Sequence, residues 1–105
     1  MANEETILAI LREAKGEITT QQDIAKKISC SVGKVNYVLK ALVEKGFIKA
    51  EKFISSNHKK QYKYLLTEQG IKEKISLTEK FVEKKKKEYD ELQKELDSYK
   101  RVVLS

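Results

Sequence analysis

The fold of this chain is decided by the stretch SVGKVNYVLKALVEKGFIK, residues 31–49. Ser31 is a preferred residue at a helix N-terminus, and Gly46 is the residue type that most often ends a helix in a left-handed conformation. Between them, apolar residues recur at the spacing of one helix face, at Val35, Val38, Leu39 and Leu42. The stretch therefore predicts an amphipathic helix that stops at the glycine and leads into an extended segment.

A second face of this helix lies almost opposite the apolar one and carries Gly33, Asn36, Tyr37 and Lys40. We call it the reading face. Asparagine can pair bidentately with adenine, lysine can reach a phosphate or a guanine, and tyrosine can contact a phosphate or a thymine methyl group. A helix with these two faces fits a DNA major groove, but it also fits an ordinary surface helix, so the rest of the chain must decide.

The first turn of the helix adds residues to the predicted contact with DNA. Gly33 and Val32 would let the helix approach the base edges closely, and Lys34 lies to one side, where we expect a phosphate contact rather than base readout. The predicted contact residues of the helix are Ser31, Val32, Gly33, Lys34, Asn36, Tyr37 and Lys40. The alternative is that these residues are solvent-exposed positions without a partner.

The composition is that of one small, basic domain with an appended element. The chain has 105 residues, 40% hydrophobic and 36% charged, so its core is thin and oligomerisation is favoured. A formal net charge of +6 suits a polyanionic partner such as nucleic acid.

Cys30 is the single cysteine, which excludes an internal disulfide and suggests a reducing compartment. The start of the sequence lacks the basic residues of a signal peptide and no apolar run approaches the length of a membrane span, so we expect a soluble, cytoplasmic protein without membrane contact.

Residues before the quoted stretch complete a helix-turn-helix. The apolar spacing over residues 4–14, with Asn3 as a cap, predicts a first helix. A short strand is expected at residues 17–19. The sequence TQQD, residues 20–23, resembles a capping box and begins a second helix, whose buried side would be Ile24, Ala25 and Ile28. Two helices joined by the tight turn of residues 29–31 have the helix-turn-helix outline.

Two strands with a basic turn follow the quoted helix. Residues 47–54 and 61–66 have strand-like patterns, and the polar residues 55–60 between them are turn-forming. Helix, strand, helix, helix, strand, strand is the order of a winged helix, an α+β fold of three helices and a β-hairpin wing. The wing residues predicted to contact DNA are Ser56, Asn57, His58, Lys59 and Lys60. The alternative is that the lysines guard an edge strand against aggregation.

The C-terminal third predicts one long helix with a coiled-coil seam. Thr67 is a suitable cap, and the chain contains no proline. Mostly apolar residues then alternate spacings of four and three over more than four heptads, as in a coiled coil, with the polar Thr78 and Lys85 also on the seam. The seam residues that we expect to bring two copies together are Ile75, Val82, Tyr89, Leu92, Leu96 and Tyr99. We therefore predict a winged helix-turn-helix domain over residues 1–67 and a dimerisation helix over residues 68–105.

Nothing in the sequence predicts catalysis, a cofactor or a bound metal. There is no glycine-rich phosphate loop, no nucleophile–histidine pair, and no pair of carboxylates in an apolar setting. His58 is the only histidine, and it has no nearby cysteine or carboxylate cluster that would complete a metal site.

The sequence resembles the MarR-type winged-helix transcriptional regulators, most closely the short subgroup associated with bacterial exopolysaccharide gene clusters. The resemblance covers residues 6–99 and rests on the segments SVGKVNYVLKALVEKGFIKAE and KYLLTEQGI, followed by the Lys/Glu-rich tail. It implies a bacterial homodimer that binds operator DNA, with the helix from Ser31 in the major groove and the wing alongside. Repression is expected rather than activation, with half-sites spaced by about one helical turn, on the order of 10 bp, or a multiple of it.

The chain departs from the MarR pattern in two ways. Many members have an extra N-terminal helix that helps to enclose an effector pocket, whereas this chain starts a few residues before its first helix, so we expect no small-molecule effector. Many also have an Asp-x-Arg pair in the wing, at places that correspond roughly to His58 and Lys60 here. Lysine lacks the planar fork of arginine, so we expect the wing to act electrostatically rather than to read bases.

Two other functions stay open on the sequence alone. Winged helices also serve as protein-interaction adaptors, in which case the coiled-coil tail would be the working part and specific DNA binding would be absent. RNA binding is the weaker alternative, because we find no exposed aromatic pair suited to base stacking. Tyr62 and Tyr64 are better explained as the buried face of a strand.

Overall fold

The computed structural model describes residues 3–104 and has the winged helix-turn-helix fold that the sequence predicts. Its elements, in chain order, are α1 (Glu4–Glu13), β1 (Lys15–Thr19), α2 (Gln21–Ile28), α3 (Val32–Glu44), β2 (Ile48–Ile54), β3 (Lys60–Leu66) and α4 (Glu68–Leu104). Of the described residues, 3–75 form one compact unit and 76–104 form a second. No helix over residues 3–104 carries an apolar stretch long enough to cross a membrane.

The first three helices begin at the predicted caps. Asn3 Oδ1 accepts a hydrogen bond from the Thr6 amide at 2.8 Å. Thr20 Oγ1 and Ser31 Oγ likewise accept from the amides three residues on, at 3.0 and 3.1 Å. Each cap satisfies an amide that has no partner inside its helix. The predicted starts of α1, α2 and α3 are confirmed.

A left-handed residue makes the turn between α2 and α3 tight. Ser29 has φ 54°, and the Cys30 amide returns to the Ala25 carbonyl at 2.9 Å. This pattern ends α2 abruptly. Cys30 is half-buried in the turn, and only three residues, 29–31, separate α2 from α3.

The core is formed by the apolar faces of the first three helices together with the start of the hairpin. Ile10, Leu11 and Val35 are fully buried, and Ile48 and Tyr64 close the core from the sheet. The predicted apolar face of α3 is buried at all four positions. In α1, Leu8 is buried together with Ile10 and Leu11.

The three strands form an antiparallel sheet in the order β1-β3-β2. The β2–β3 register runs without interruption from Ile48 opposite Leu66 to Ile54 opposite Lys60. Because strand residues alternate between faces and cross-strand partners share a face, this register divides the hairpin into two sides. We call the side that contains the buried Ile48 and Tyr64 the inner face, and the opposite side the outer face. The strands begin within a residue or two of the predicted positions.

Candidate functional site

The reading face of α3 is exposed along its whole length. Gly33, Asn36, Tyr37 and Lys40 all lie on the surface, with Tyr37 60% exposed. On the opposite side of the helix, Val35, Val38, Leu39 and Leu42 are no more than 3% exposed. The apolar side thus holds the helix in the domain, while the polar side is available to a partner.

The first turn of α3 combines exposed side chains with the positive end of the helix. Ser31, Val32 and Lys34 are all exposed. Ser31 Oγ accepts the bond from the Lys34 amide, so its own hydroxyl proton remains available for donation to an anion. The N-terminus of a helix carries a partial positive charge that favours phosphate groups. All seven residues that the sequence predicts as contacts of α3 are therefore accessible.

The far end of the reading face carries a negative charge that the sequence interpretation missed. Glu44 lies four residues after Lys40 and seven after Tyr37, which places it on the same face, and it is exposed. The polyanionic backbone of DNA would be attracted at the N-terminal half of the face and repelled at Glu44. The helical spacing of Tyr37, Lys40 and Glu44 in the sequence would have been enough to place Glu44 on this face.

Gly33 has no structural reason to be glycine. Its backbone is helical, and nothing lies within 4 Å of the place that a Cβ would occupy. The other three glycines are explained by the fold. Gly16 and Gly46 have positive φ angles of 76° and 79°, and a Cβ on Gly70 would collide with the backbone of Phe47.

The tip of the wing is a hydrogen-bonded turn organised by Ser55. The Ser55 carbonyl accepts from the His58 amide at 2.9 Å, and its hydroxyl accepts from the Lys59 amide at 3.1 Å. His58 takes a left-handed conformation with φ 59°. The five predicted wing contacts are all exposed; they are Ser56, Asn57, His58, Lys59 and Lys60. Ser55 itself, which the sequence interpretation did not single out, is the residue that shapes the turn.

The strand register separates the lysines of the hairpin into two groups. Lys52 lies opposite Tyr62, and Lys60 lies opposite Ile54, so both lysines are on the inner face. Lys63 is on the outer face, where its direct cross-strand neighbour is Glu51. Only the inner group shares its side of the sheet with the domain's helices, a division that the sequence pattern alone did not show.

The inner face is tied to the second helix through Tyr64. The Tyr64 hydroxyl accepts a hydrogen bond from Gln21 Nε2 at 3.1 Å, and the Tyr62 ring stacks on Tyr64 with centroids 5.4 Å apart. Burial raises the pKa of Tyr64, while the hydrogen bond from Gln21 opposes that rise. The predicted burial of Tyr64 is confirmed, and Tyr62 is half-buried. The base of the wing is therefore fixed to the helices.

The predicted seam residues of α4 form an exposed apolar stripe. Ile75, Val82, Tyr89, Leu92, Leu96 and Tyr99 are each between 46% and 66% exposed. A different face of α4 carries Leu77, which is only 5% exposed and which the sequence interpretation missed. An exposed stripe of large apolar side chains is typical of an interaction surface.

No metal centre is assembled among residues 3–104, where no three His, Cys, Asp or Glu side chains are grouped to hold an ion. The surface clefts beside Cys30 are lined by a mixture of polar, charged and apolar side chains. The exposed features that the sequence predicts as contact surfaces are the reading face, the wing and the stripe on α4.

A family model matches residues 2–49 of the chain and is described as winged helix-turn-helix DNA-binding. The matched segment ends just after α3 and contains the whole reading face. A search of curated protein sequences finds no match.

Solved structures of transcription regulators are similar to this chain. A PadR-like regulator from Bacillus cereus matches with a TM-score of 0.70 and 17% identity, covering 84% of this chain and 91% of that chain. MepR, a regulator of the multidrug efflux pump MepA of Staphylococcus aureus, matches with a TM-score of 0.61 and 26% identity, covering 99% and 75%. A MepR variant bound to an oligodeoxyribonucleotide matches with a TM-score of 0.59 and 23% identity, covering 100% and 80%. These likenesses show the winged-helix fold.

Proposed function

We propose that the chain regulates transcription as a homodimer that binds double-stranded DNA sequence-specifically. In the proposed complex the reading face of α3 enters the major groove, and the wing tip, residues 56–60, lies alongside on the phosphate backbone. The outcome of binding is repression, because a bound dimer blocks access to the promoter. The residues that carry recognition are those of the first turns of α3.

One observation carries the proposal, namely the unexplained glycine on the reading face. Glycine within a helix costs at most about 0.5–1 kcal/mol relative to alanine, less in the first turn where Gly33 lies, and at Gly33 neither the backbone nor a neighbour requires it. If the floor of the DNA major groove comes close to α3 at Gly33, a side chain would not fit there, and this would explain why the residue is glycine. Asn36 and Lys40, on the same face, would then reach base edges.

The charge distribution along α3 supports the same orientation. The positive end of the helix dipole, Lys34 and Lys40 all lie before the acidic Glu44. The DNA would therefore approach the N-terminal half of the helix. The exposed Lys59 and Lys60 of the wing add positive charge to the interface.

The exposed stripe on α4 supports the homodimer. Burial of such side chains between two copies would remove apolar area from water, which a small domain with a thin core needs. Lys85 falls on the stripe between Val82 and Tyr89, and its Nζ lies 3.5 Å from Glu88 Oε2. A charge within a seam weakens pairing and selects the register. We propose residues 68–105 as the dimerisation element and residues 1–67 as the DNA-binding domain.

The similar structures support a regulatory role. Their names describe transcription regulators, and one of them was solved with DNA bound. We propose that the chain is a cytoplasmic bacterial regulator of the MarR type, in the short subgroup associated with exopolysaccharide gene clusters. We propose no small-molecule effector for it.

Selection of binding sites from a pool of randomised DNA duplexes tests this function. The full-length protein should enrich an inverted repeat whose half-sites are about one helical turn apart, on the order of 10 bp, or a multiple of it. A single unrepeated site would contradict the homodimer. Absence of any enriched sequence would contradict sequence-specific binding and would favour the adaptor function, in which α4 is the working part.

A further inference from the structure

We propose that the α4 helices of two copies pair in parallel, both running in the same direction, and that charged residues beside the stripe select this orientation. The inference rests on the proposed function, because it takes the homodimer as given and names how one copy recognises the other. The residues that carry it border the stripe and are not part of it.

The stripe fixes the heptad positions of α4. With Ile75 and Val82 at the a position and Leu92 and Tyr99 at d, the e and g positions lie on either side of the stripe. The e residues are Lys72, Glu79, Lys86, Gln93 and Lys100. The g residues between 74 and 95 are Lys74, Phe81, Glu88 and Glu95. In coiled coils these two bordering positions set the choice of partner and its orientation.

A parallel pair brings no like charges together at these positions. In this orientation each g residue lies beside the e residue five positions further along the second copy. The resulting pairs are Lys74 with Glu79, Phe81 with Lys86, Glu88 with Gln93, and Glu95 with Lys100. Two of these pairs are opposite in charge, one places an ammonium group beside an aromatic ring, and one joins a carboxylate to an amide.

An antiparallel pair that aligns the whole stripe, with Ile75 opposite Tyr99, brings like charges together. In this orientation e residues lie beside e residues and g residues beside g residues. The like-charged pairs would be Lys72 with Lys100, Lys86 with Lys86, and Glu88 with Glu88. Repulsion of this kind excludes a wrong arrangement without strengthening the correct one. The charges beside the stripe therefore favour the parallel pair.

Lys85 is the charged residue within the stripe, and in a parallel pair it lies opposite Lys85 of the second copy. Its Nζ is 3.5 Å from Glu88 Oε2 of the same helix, and its side chain is 77% exposed. The ion pair offsets the charge of this layer, and a long lysine side chain can keep its ammonium group in water. The antiparallel pair would place Lys85 beside Tyr89 but would retain the three repulsive contacts.

Disulfide formation between copies of the full-length protein tests the orientation. Cys30→Ser is made first, so that the introduced cysteine is the only thiol. In a parallel pair Leu92→Cys faces its own copy, within the Cα separation of about 4.4–6.8 Å that a disulfide spans. In the antiparallel pair residue 92 is level with residue 82, which leaves the two thiols about 15 Å apart along the helix. Leu92→Cys should therefore form a covalent dimer under mild oxidation.

Two controls accompany this variant. Lys94→Cys is on the same helix and is exposed, but it lies outside the stripe and its borders, so it should remain a monomer on a non-reducing gel. A mixture of Val82→Cys and Leu92→Cys proteins should give no disulfide that joins residue 82 to residue 92, as judged by mass spectrometry of the cross-linked peptides.

Lys100→Glu is an independent test, because the sign of its effect depends on the orientation. In the parallel pair the new carboxylate lies beside Glu95 of the second copy, so the dissociation constant of the dimer should rise by about fivefold. In the antiparallel pair it would lie beside Lys72 and tighten the dimer. Lys94→Glu makes the same change in charge away from the borders and should leave the constant unchanged. Analytical ultracentrifugation measures all three proteins.

The possible results separate the inference from the proposed function. Disulfides between residues 82 and 92, equal cross-linking by Leu92→Cys and Lys94→Cys, or tighter association of Lys100→Glu would each overturn the parallel orientation. Cross-linking by Leu92→Cys alone, together with weaker association of Lys100→Glu, would establish it. A monomeric unaltered protein would instead contradict the homodimer of the proposed function.

Discussion

Gly70 lies directly against the backbone of Phe47, so close that a Cβ on residue 70 would stand 1.9 Å from the Phe47 carbonyl oxygen. The same carbonyl accepts a hydrogen bond from the Thr67 amide at 3.1 Å. The Thr67 hydroxyl donates to the Gly46 carbonyl and accepts from the Gly70 amide. The first turn of α4 is thereby fixed to the residues that end α3, within the compact unit that carries the reading face.

Replacement of Gly70 by alanine should destabilise the protein. The added methyl group would collide with backbone rather than with a flexible side chain, and overpacking of this kind costs about 1–3 kcal/mol or more. Thermal unfolding followed by circular dichroism should show a melting temperature lower by roughly 10 °C. A melting temperature equal to that of the unaltered protein would mean that the close approach of α4 to Phe47 is wrong.

Replacement of Gly33 by alanine should have opposite effects on stability and on DNA binding. Open space and a helical backbone predict a gain in the free energy of unfolding of at most about 0.5–1 kcal/mol, since Gly33 lies in the first turn. If the helix approaches the groove floor here, the same methyl group should weaken binding to a selected duplex by about tenfold, or 1.4 kcal/mol. A variant that is more stable and binds equally well would remove the main support for the proposed orientation of α3.

Replacement of Asn36 by alanine should reduce specificity. Asn36 is exposed on the reading face and makes no contact that the fold needs, so its loss should leave the melting temperature unchanged or slightly raised. Loss of a bidentate base contact costs about 1–3 kcal/mol of discrimination, so the ratio of affinities for selected and scrambled duplexes should fall by about tenfold. If that ratio stays constant, Asn36 does not read a base.

Replacement of Lys60 by alanine should weaken binding to both duplexes nearly equally and flatten the salt slope by about one unit, as expected for a phosphate contact. Lys63→Ala is the matched control, because Lys63 is on the outer face opposite Glu51 and removes the same charge. Titrations over a range of salt concentrations compare the two. Equal effects of the two variants would show that the wing acts only through the net charge of the protein.

Replacement of Leu96 by aspartate should abolish or weaken self-association. Leu96 is 46% exposed in the single chain, so the change should cost the fold little, whereas a buried carboxylate between two copies would be unfavourable. Analytical ultracentrifugation should show a shift from dimer to monomer. Lys94→Asp, which alters charge more strongly at an exposed position outside the stripe, should remain dimeric. Dimers of unchanged strength in Leu96→Asp would exclude the predicted seam.

Local signals in the sequence predicted much of the fold. Capping residues such as Ser31 act on amides three residues away, and the apolar spacing of α3 depends only on the helical period. For the same reason the exposure of Asn36 and Lys40 followed from the burial of Val35 on the opposite side. Features set by one helical turn or one strand pleat are therefore accessible from the residues alone.

Features set by contacts between distant segments were not predicted. The approach of Gly70 to Phe47 joins residues more than twenty positions apart. The grouping of Lys52 with Lys60 on one face depends on the register of β2 against β3, and a shift of one residue would place them on opposite faces. Pairing and close packing, rather than local propensity, decide these positions.

The most direct test of the central claim is a fluorescence-anisotropy titration of the full-length protein with a selected duplex and a scrambled duplex, at several salt concentrations. Sequence-specific binding through the reading face predicts affinity for the selected duplex that is higher by about 10³-fold or more, together with a steep salt slope. Weak binding of equal strength to both duplexes would contradict the claim, since it would reflect only the general attraction between DNA and a protein of net charge +6.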